Sequence, residues 1–197
     1  MVERVVIYMS IEAVFSNICG RLNKAVKFHC QMIEYFEFLG LKGFSEIHKY
    51  QLFSEKAELV KTKEYYIENY NLILNDNTND SNKYIPDNWV GVTRFDLEGG
   101  QKALYVKEAL ETWAEWESES KKFYENRYCD AYDLHEVDAC RYIAELIADV
   151  SDEVKRADEL IIRLKGTSWD CARIDEMQDK LYKEYCKKIE KIGREIK

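Results

Sequence analysis

Apolar residues recur along this chain at steps of three and four, in four long runs. Over about residues 10–39 the recurring set is Phe15, Ile18, Leu22, Ala25, His29, Met32 and Phe36, which lie on one helix face. Over about 44–73 the stripe is less uniform: Phe44, Ile47, Gln51, Ser54, Glu58, Thr62 and Tyr65. The third run starts after Gly99 and Gly100, reaches about 128, and carries Ala103, Val106, Leu110, Trp113, Glu117, Ser120 and Tyr124. The fourth, about 134–165, carries Ile143, Leu146, Val150, Glu153, Ala157, Leu160 and Leu164. A last, highly charged run over about 170–195 predicts a partly exposed helix packed on the others.

The interruptions define the connections. Gly40 and Gly43 bracket a short turn, and Gly166 supplies a helix stop. Between the second and third runs lies LNDNTNDSNKYIPDN, residues 74–88. It is dense in Asn and Asp and holds Pro86, the only proline of the chain. Such residues bond their own backbone and break helices. Short loops join antiparallel neighbours, whereas a connection of about 25 residues is long enough to run the length of a bundle. The expected architecture is therefore all-α: an antiparallel four-helix bundle over about residues 10–165, with a long crossover in the middle. A fifth helix follows at about 170–195, and the whole of residues 1–197 forms one domain.

Composition narrows the function classes. One proline and eight glycines are too few turn residues for an all-β chain. The formal net charge of -8 argues against a dedicated nucleic-acid-binding surface, which rests on clustered Lys and Arg. No stretch approaches the roughly 20 apolar residues of a membrane span, and MVERVVIYMSIEAVF does not read as a signal peptide. The expected compartment is the cytoplasm. The six cysteines, Cys19, Cys30, Cys129, Cys140, Cys171 and Cys186, contain no CxxC pair. They are expected to be reduced and mostly buried. No glycine-rich phosphate loop, nucleophile elbow or HExxH is present.

The chemistry lies where carboxylates interrupt apolar stripes. Glu117 and Glu153 occupy positions that call for core residues. Glu58 does the same on the second helix, with Glu55 roughly one turn before it. An ionised carboxylate in a bundle core must be paired, protonated or bound to a metal. Carboxylates from several helices converging in one bundle hold hard cations such as iron or manganese. The plainer alternative is a solvated flank position, with Lys56, Lys121 and Arg156 as ion-pair partners. His29 and His48 are expected at similar heights of an antiparallel pair, as core histidines or as part of a second, displaced site. His135 is expected to be exposed near the start of the fourth helix.

These segments resemble the ferritins, over roughly residues 15–165. GLKGFSEIHKYQLFSEKAELVKTKEYYI, residues 40–67, is similar to the family's turn and second helix, where an ExxH motif supplies two ligands. Here that motif reads Glu55-Lys56-Ala57-Glu58. Residues 109–164, from ALETWAEWESES to ADELIIRL, are similar to the third and fourth helices. The resemblance implies metal ligation by Glu55, Glu58, Glu117 and Glu153, with iron, or else manganese, as the ion. It also implies assembly into a homo-oligomeric shell that stores iron, with ferroxidase-type oxidation of Fe(II) if the site is functional. Three positions depart from the pattern: Leu22 replaces the first-helix Glu, Glu58 the ExxH histidine, and Val150 the fourth-helix Gln. These departures keep open a bundle that has lost its metal chemistry and serves as a structural or interaction module. LNKA at 22–25 and GFSEIHKY at 43–50 also suggest a DNA-protecting mini-ferritin, but the acidic charge and the lack of a lysine-rich N-terminal tail weigh against DNA.

Overall fold

The computed structural model describes residues 9–74, 84–85 and 99–195. Five helices follow in order: α1 (Ile11–Phe38), α2 (Lys42–Tyr70), α3 (Gly99–Asp133), α4 (Val137–Lys165) and α5 (Cys171–Glu195), and no strand occurs among the described residues. The expected all-α architecture is what forms. Most of the connection expected at 74–88 lies outside the described residues.

Local signals set the helix ends. Ser10 caps α1, its Oγ accepting from the Ala13 N–H at 3.2 Å. After α1, Gly40 turns left-handed at φ 72°. The Leu41 and Gly40 amides then donate back to Phe36 and Glu37 at 2.9 and 3.0 Å, closing a Schellman motif. The α3–α4 turn repeats this geometry with His135 in the left-handed position, φ 61°. Helix α3 consequently runs to Asp133 rather than to about 128, and α4 starts at Val137 rather than 134. At the α4 end Gly166 caps the helix in right-handed conformation, and Ser168 and Trp169 take the positive φ values instead. Asn71 ends α2 in the left-handed region three residues before the expected boundary.

Cross-helix contacts fix the arrangement. Arg21 reaches Ser120 while Tyr35 donates to the Tyr105 carbonyl, so α1 and α3 run antiparallel. Glu58 faces Tyr142 on α4, and Gln51 faces Glu153, so α2 and α4 are antiparallel too. Helix α5 lies parallel to α2, with Gly43 against Gln178 and Tyr50 against Tyr185. It buries Ile174, Leu181 and Tyr185, which explains how so charged a helix joins the bundle. Tyr84, within the mid-chain connection, donates its N–H to Gln31 at 2.6 Å and sets its ring edge-on to Phe28.

The apolar interior is divided in two. One cluster, around Phe28, Phe36, Phe44 and Trp113, fills the end nearest the α1–α2 turn and α5. The other, around Phe15, Ile18, Tyr66 and Ile143, fills the opposite end. Between them α2, α3 and α4 present carboxyl groups inward. Ser54, expected on the α2 stripe, is solvent-exposed but lines the polar layer beside Glu55 and Glu58. Of the six cysteines only Cys19 and Cys140 are buried; Cys129 is exposed and the rest are intermediate, since they fall on helix flanks rather than on the core stripes. All six are free thiols, as expected.

Gly43 marks a close backbone approach of α2 to α5. A Cβ there would overlap the Gln178 carbonyl. Gly43→Ala should therefore displace α5 and lower stability by roughly 1–3 kcal/mol, read as an earlier urea midpoint together with faster proteolysis within α5. An unchanged midpoint would mean that α5 shifts freely over α2.

Candidate metal centre

A cavity of about 40 Å³ sits in the polar layer between the two apolar clusters. Its lining includes Glu55 and Glu58 from α2, Glu117, Ser120 and Tyr124 from α3, and Asp149 and Glu153 from α4. Helix α1 contributes only Leu22 and Ala25. All four sequence-proposed acids thus line one space, and Leu22 and Val150 face that same space.

The acids are not equivalent. Glu117 is 1% exposed, and its Oε1 accepts from Trp113 Nε1 at 2.8 Å. Burial pushes its pKa well above the usual carboxylate range, and the nearby Glu153 and Glu55 push it further. Glu55 is raised in the same way, first by desolvation and then by Glu153 and Glu58. Part of its side chain touches solvent, but the carboxyl end lies deep enough to be desolvated. Burial raises Glu153 to about 7, against the lowering effects of Gln51, Arg156 and Glu117. Glu153 also hydrogen-bonds to Glu117, and a contact between two carboxyl groups needs a proton between them.

Glu58 is partnered already. Tyr142 donates to its Oε1 at 2.9 Å and Lys61 pairs with its Oε2 at 3.1 Å. The expected lysine partners are otherwise engaged or remote: Lys121 approaches Glu125, and Lys56 is exposed. Arg156 does act on Glu153.

Two contributors went unnoticed in the sequence. Arg21 sits one residue before Leu22, on the flank of the α1 stripe. It donates to Ser120 Oγ and to the Trp116 carbonyl and stacks over the Trp116 ring at 3.7 Å. Its charge partly offsets Glu55 and Glu117. Asp149 lies one turn before Glu153, and that four-residue spacing was its only signal. Burial and Glu58 raise its pKa.

The histidines meet as expected from antiparallel packing. His29 and His48 are both buried, with their Nδ1 atoms 3.0 Å apart. His29 Nε2 has no hydrogen-bond partner and lies 3.8 Å from Glu117 Oε1. Burial holds His29 neutral, with a pKa of about 3. His135 is exposed, as expected.

The donor set fits a hard divalent cation in kind: carboxyl oxygens from three helices, too costly to ionise together without a counter-charge. One buried polar atom beside it, His29 Nε2, lacks a hydrogen-bond partner. As the side chains stand, no three His, Cys, Asp or Glu among the described residues are drawn in around one point at ligand distance. Ligation therefore requires side-chain rotation into the cavity.

Two antiparallel helix pairs with a fifth helix packed alongside make this a ferritin-like fold. The chain superimposes on the open-pore ferritin of the hyperthermophilic archaeon Archaeoglobus fulgidus with a TM-score of 0.71 at 15% identity, covering 86% of this chain and 92% of that one. An engineered closed form of the same ferritin gives 0.72 at 15% identity, over 88% and 96% of the two chains. A humanized archaeal ferritin gives 0.69 at 17%, over 88% and 97%. No protein-family model and no curated protein matches the sequence. No helix among the described residues is long and apolar enough to cross a membrane.

The carboxyl pKa values set a pH dependence. Glu153, at about 7 in the folded chain, binds more protons there than when unfolded. Its stabilising contribution is full below the unfolded value and is lost as pH rises through 7. Glu55 and Glu117 are shifted in the same direction. The metal-free protein should thus lose stability between pH 5 and 8, and Glu153→Gln should flatten that slope relative to wild type in urea titrations. A wild-type midpoint that rises across this window would contradict the assignment.

Proposed function

We propose that this protein is a ferritin-like metal-binding protein that takes up iron, with manganese as the other candidate ion, at its core carboxylates. The observation that carries the reading is the layer itself: Glu55, Glu117 and Glu153 are brought together with raised pKa values in a cavity between two apolar clusters. A fold that needed these positions only for packing would place apolar residues there. On this reading Glu117 and Glu153 are the inner ligands, Glu55 reaches them from α2, and Glu58 joins after exchanging its Lys61 contact. Fe(II) is cargo at this site, and its ferroxidase-type oxidation and storage as mineral in a homo-oligomeric shell extend the same reading.

Self-association has its own support. Phe53, Val60 and Ile67, spaced by seven on α2, are 42%, 54% and 46% exposed and form an apolar line on the outer face. The mass of the purified protein in solution tests this: a multiple of the 23.4 kDa chain is expected.

The interaction-module alternative draws on two observations, the Lys61 and Tyr142 partners of Glu58 and the apolar Leu22 where α1 meets the cavity. Anaerobic Fe(II) titration separates the two readings. At roughly a hundredfold excess over Kd, a cation bound only by the folded state adds about 2.7 kcal/mol, so the melting temperature should rise by roughly 5–10 °C. Glu117→Gln keeps an acceptor for Trp113 but removes the charge, and most of the rise should disappear. No rise in the wild type with either Fe(II) or Mn(II) would favour the interaction module.

A further inference from the structure

We infer that His29 is a metal ligand, and that the ion binds toward the histidine pair, between His29 Nε2 and the carboxyls of Glu117 and Glu153. The inference rests on the metal-binding reading above and changes its chemistry, from an all-oxygen site to a mixed nitrogen and oxygen site with a ligand from α1.

The geometry supplies three reasons. First, His29 Nε2 is the unpartnered atom of a completely buried ring. Nature rarely leaves such an atom without a partner. Second, its 3.8 Å separation from Glu117 Oε1 is too long for a hydrogen bond. Two ligand atoms each ~2.1 Å from one ion can stand up to about 4.2 Å apart, so the gap suits a bridging cation. Third, the other ring nitrogen is held. His29 Nδ1 meets His48 Nδ1 at 3.0 Å, and His48 is itself fixed by stacking on Phe36. With the proton on His29 Nδ1, that contact is a hydrogen bond, and the Nε2 lone pair is directed at Glu117. Metal-bound imidazoles are commonly oriented by such a bond on the second nitrogen.

This placement also accounts for the missing acid on α1. Leu22 cannot ligate, but His29, two turns later on the same stripe, brings α1 to Glu117 at the next level of the bundle. Glu153, hydrogen-bonded to Glu117, would complete three ligands by rotating toward the gap. A site with imidazole and two carboxylates takes a divalent first-row transition ion, and Mg(II) and Ca(II) compete poorly for it.

The test uses untagged full-length protein carrying His135→Asn, which removes the one exposed histidine. Pulsed EPR of this protein loaded with Mn(II) should show coupling to a directly bound imidazole nitrogen. His29→Leu should abolish that coupling and weaken Mn(II) binding about tenfold or more. His48→Phe should keep the coupling while weakening binding, which identifies His29 as the ligand even where His29→Leu does not fold. Binding of Mn(II) without nitrogen coupling overturns this inference and leaves the carboxylate reading intact. Failure to bind Mn(II) or Fe(II) at all overturns both.

Discussion

Burial of carboxyl groups at mid-height of the bundle is the constraint on which the remainder depends. A carboxylate deep in a protein must hold a proton, face a counter-charge or meet a cation. This chain uses the first two in part. Glu117 and Glu153 are shifted toward protonation, and Arg21 and Arg156 supply positive charge from the flanks. The apolar interior is consequently split, with large aromatic residues packed above and below the polar layer to offset what it costs. Trp113 serves both purposes, fully buried in one cluster while its indole N–H donates to Glu117.

Much of the architecture was legible because it rests on periodicity. The stripes of α1, α3 and α4 match their buried faces, from Phe15 through Phe36 and from Val106 through Tyr124. The α2 stripe was less reliable. Its inward face is polar over two turns, so Ser54 could not be told from a core position by spacing alone. The α3–α4 boundary erred because its stop signal was conformational rather than compositional: His135 takes a left-handed turn normally left to glycine, whereas the α4 end at Lys165, capped by Gly166, was legible.

The candidate site was visible as an anomaly, acids where core residues belong, and all four proposed acids line one cavity. What spacing could not convey was their inequality. Glu58 is satisfied by Lys61 and Tyr142, a partner from another helix that no local pattern specifies. Arg21 was hidden because a guanidinium on a stripe flank usually points to solvent, and only the Trp116 ring and the Ser120 hydroxyl across the α1–α3 seam turn it inward. The likeness to archaeal ferritins at 15–17% identity extends the point: the same bundle forms although most of the side chains differ.

The placement of Arg21 makes the two open seams of the bundle electrostatically unlike. Along α1 and α3, Arg21 and Lys24 border a groove of about 460 Å³ and present positive charge to anything approaching the layer from there. Along α2 and α4, the half-exposed Glu58 and Glu55 and the exposed Asp149 present negative charge. A cation diffusing toward the interior meets a barrier on one side and a descending potential on the other. Among the described residues the α2–α4 seam is thus the more favourable electrostatic approach for a cation, although Lys61 offsets part of the charge at Glu58, and salt would weaken that preference as the field between the acids is screened.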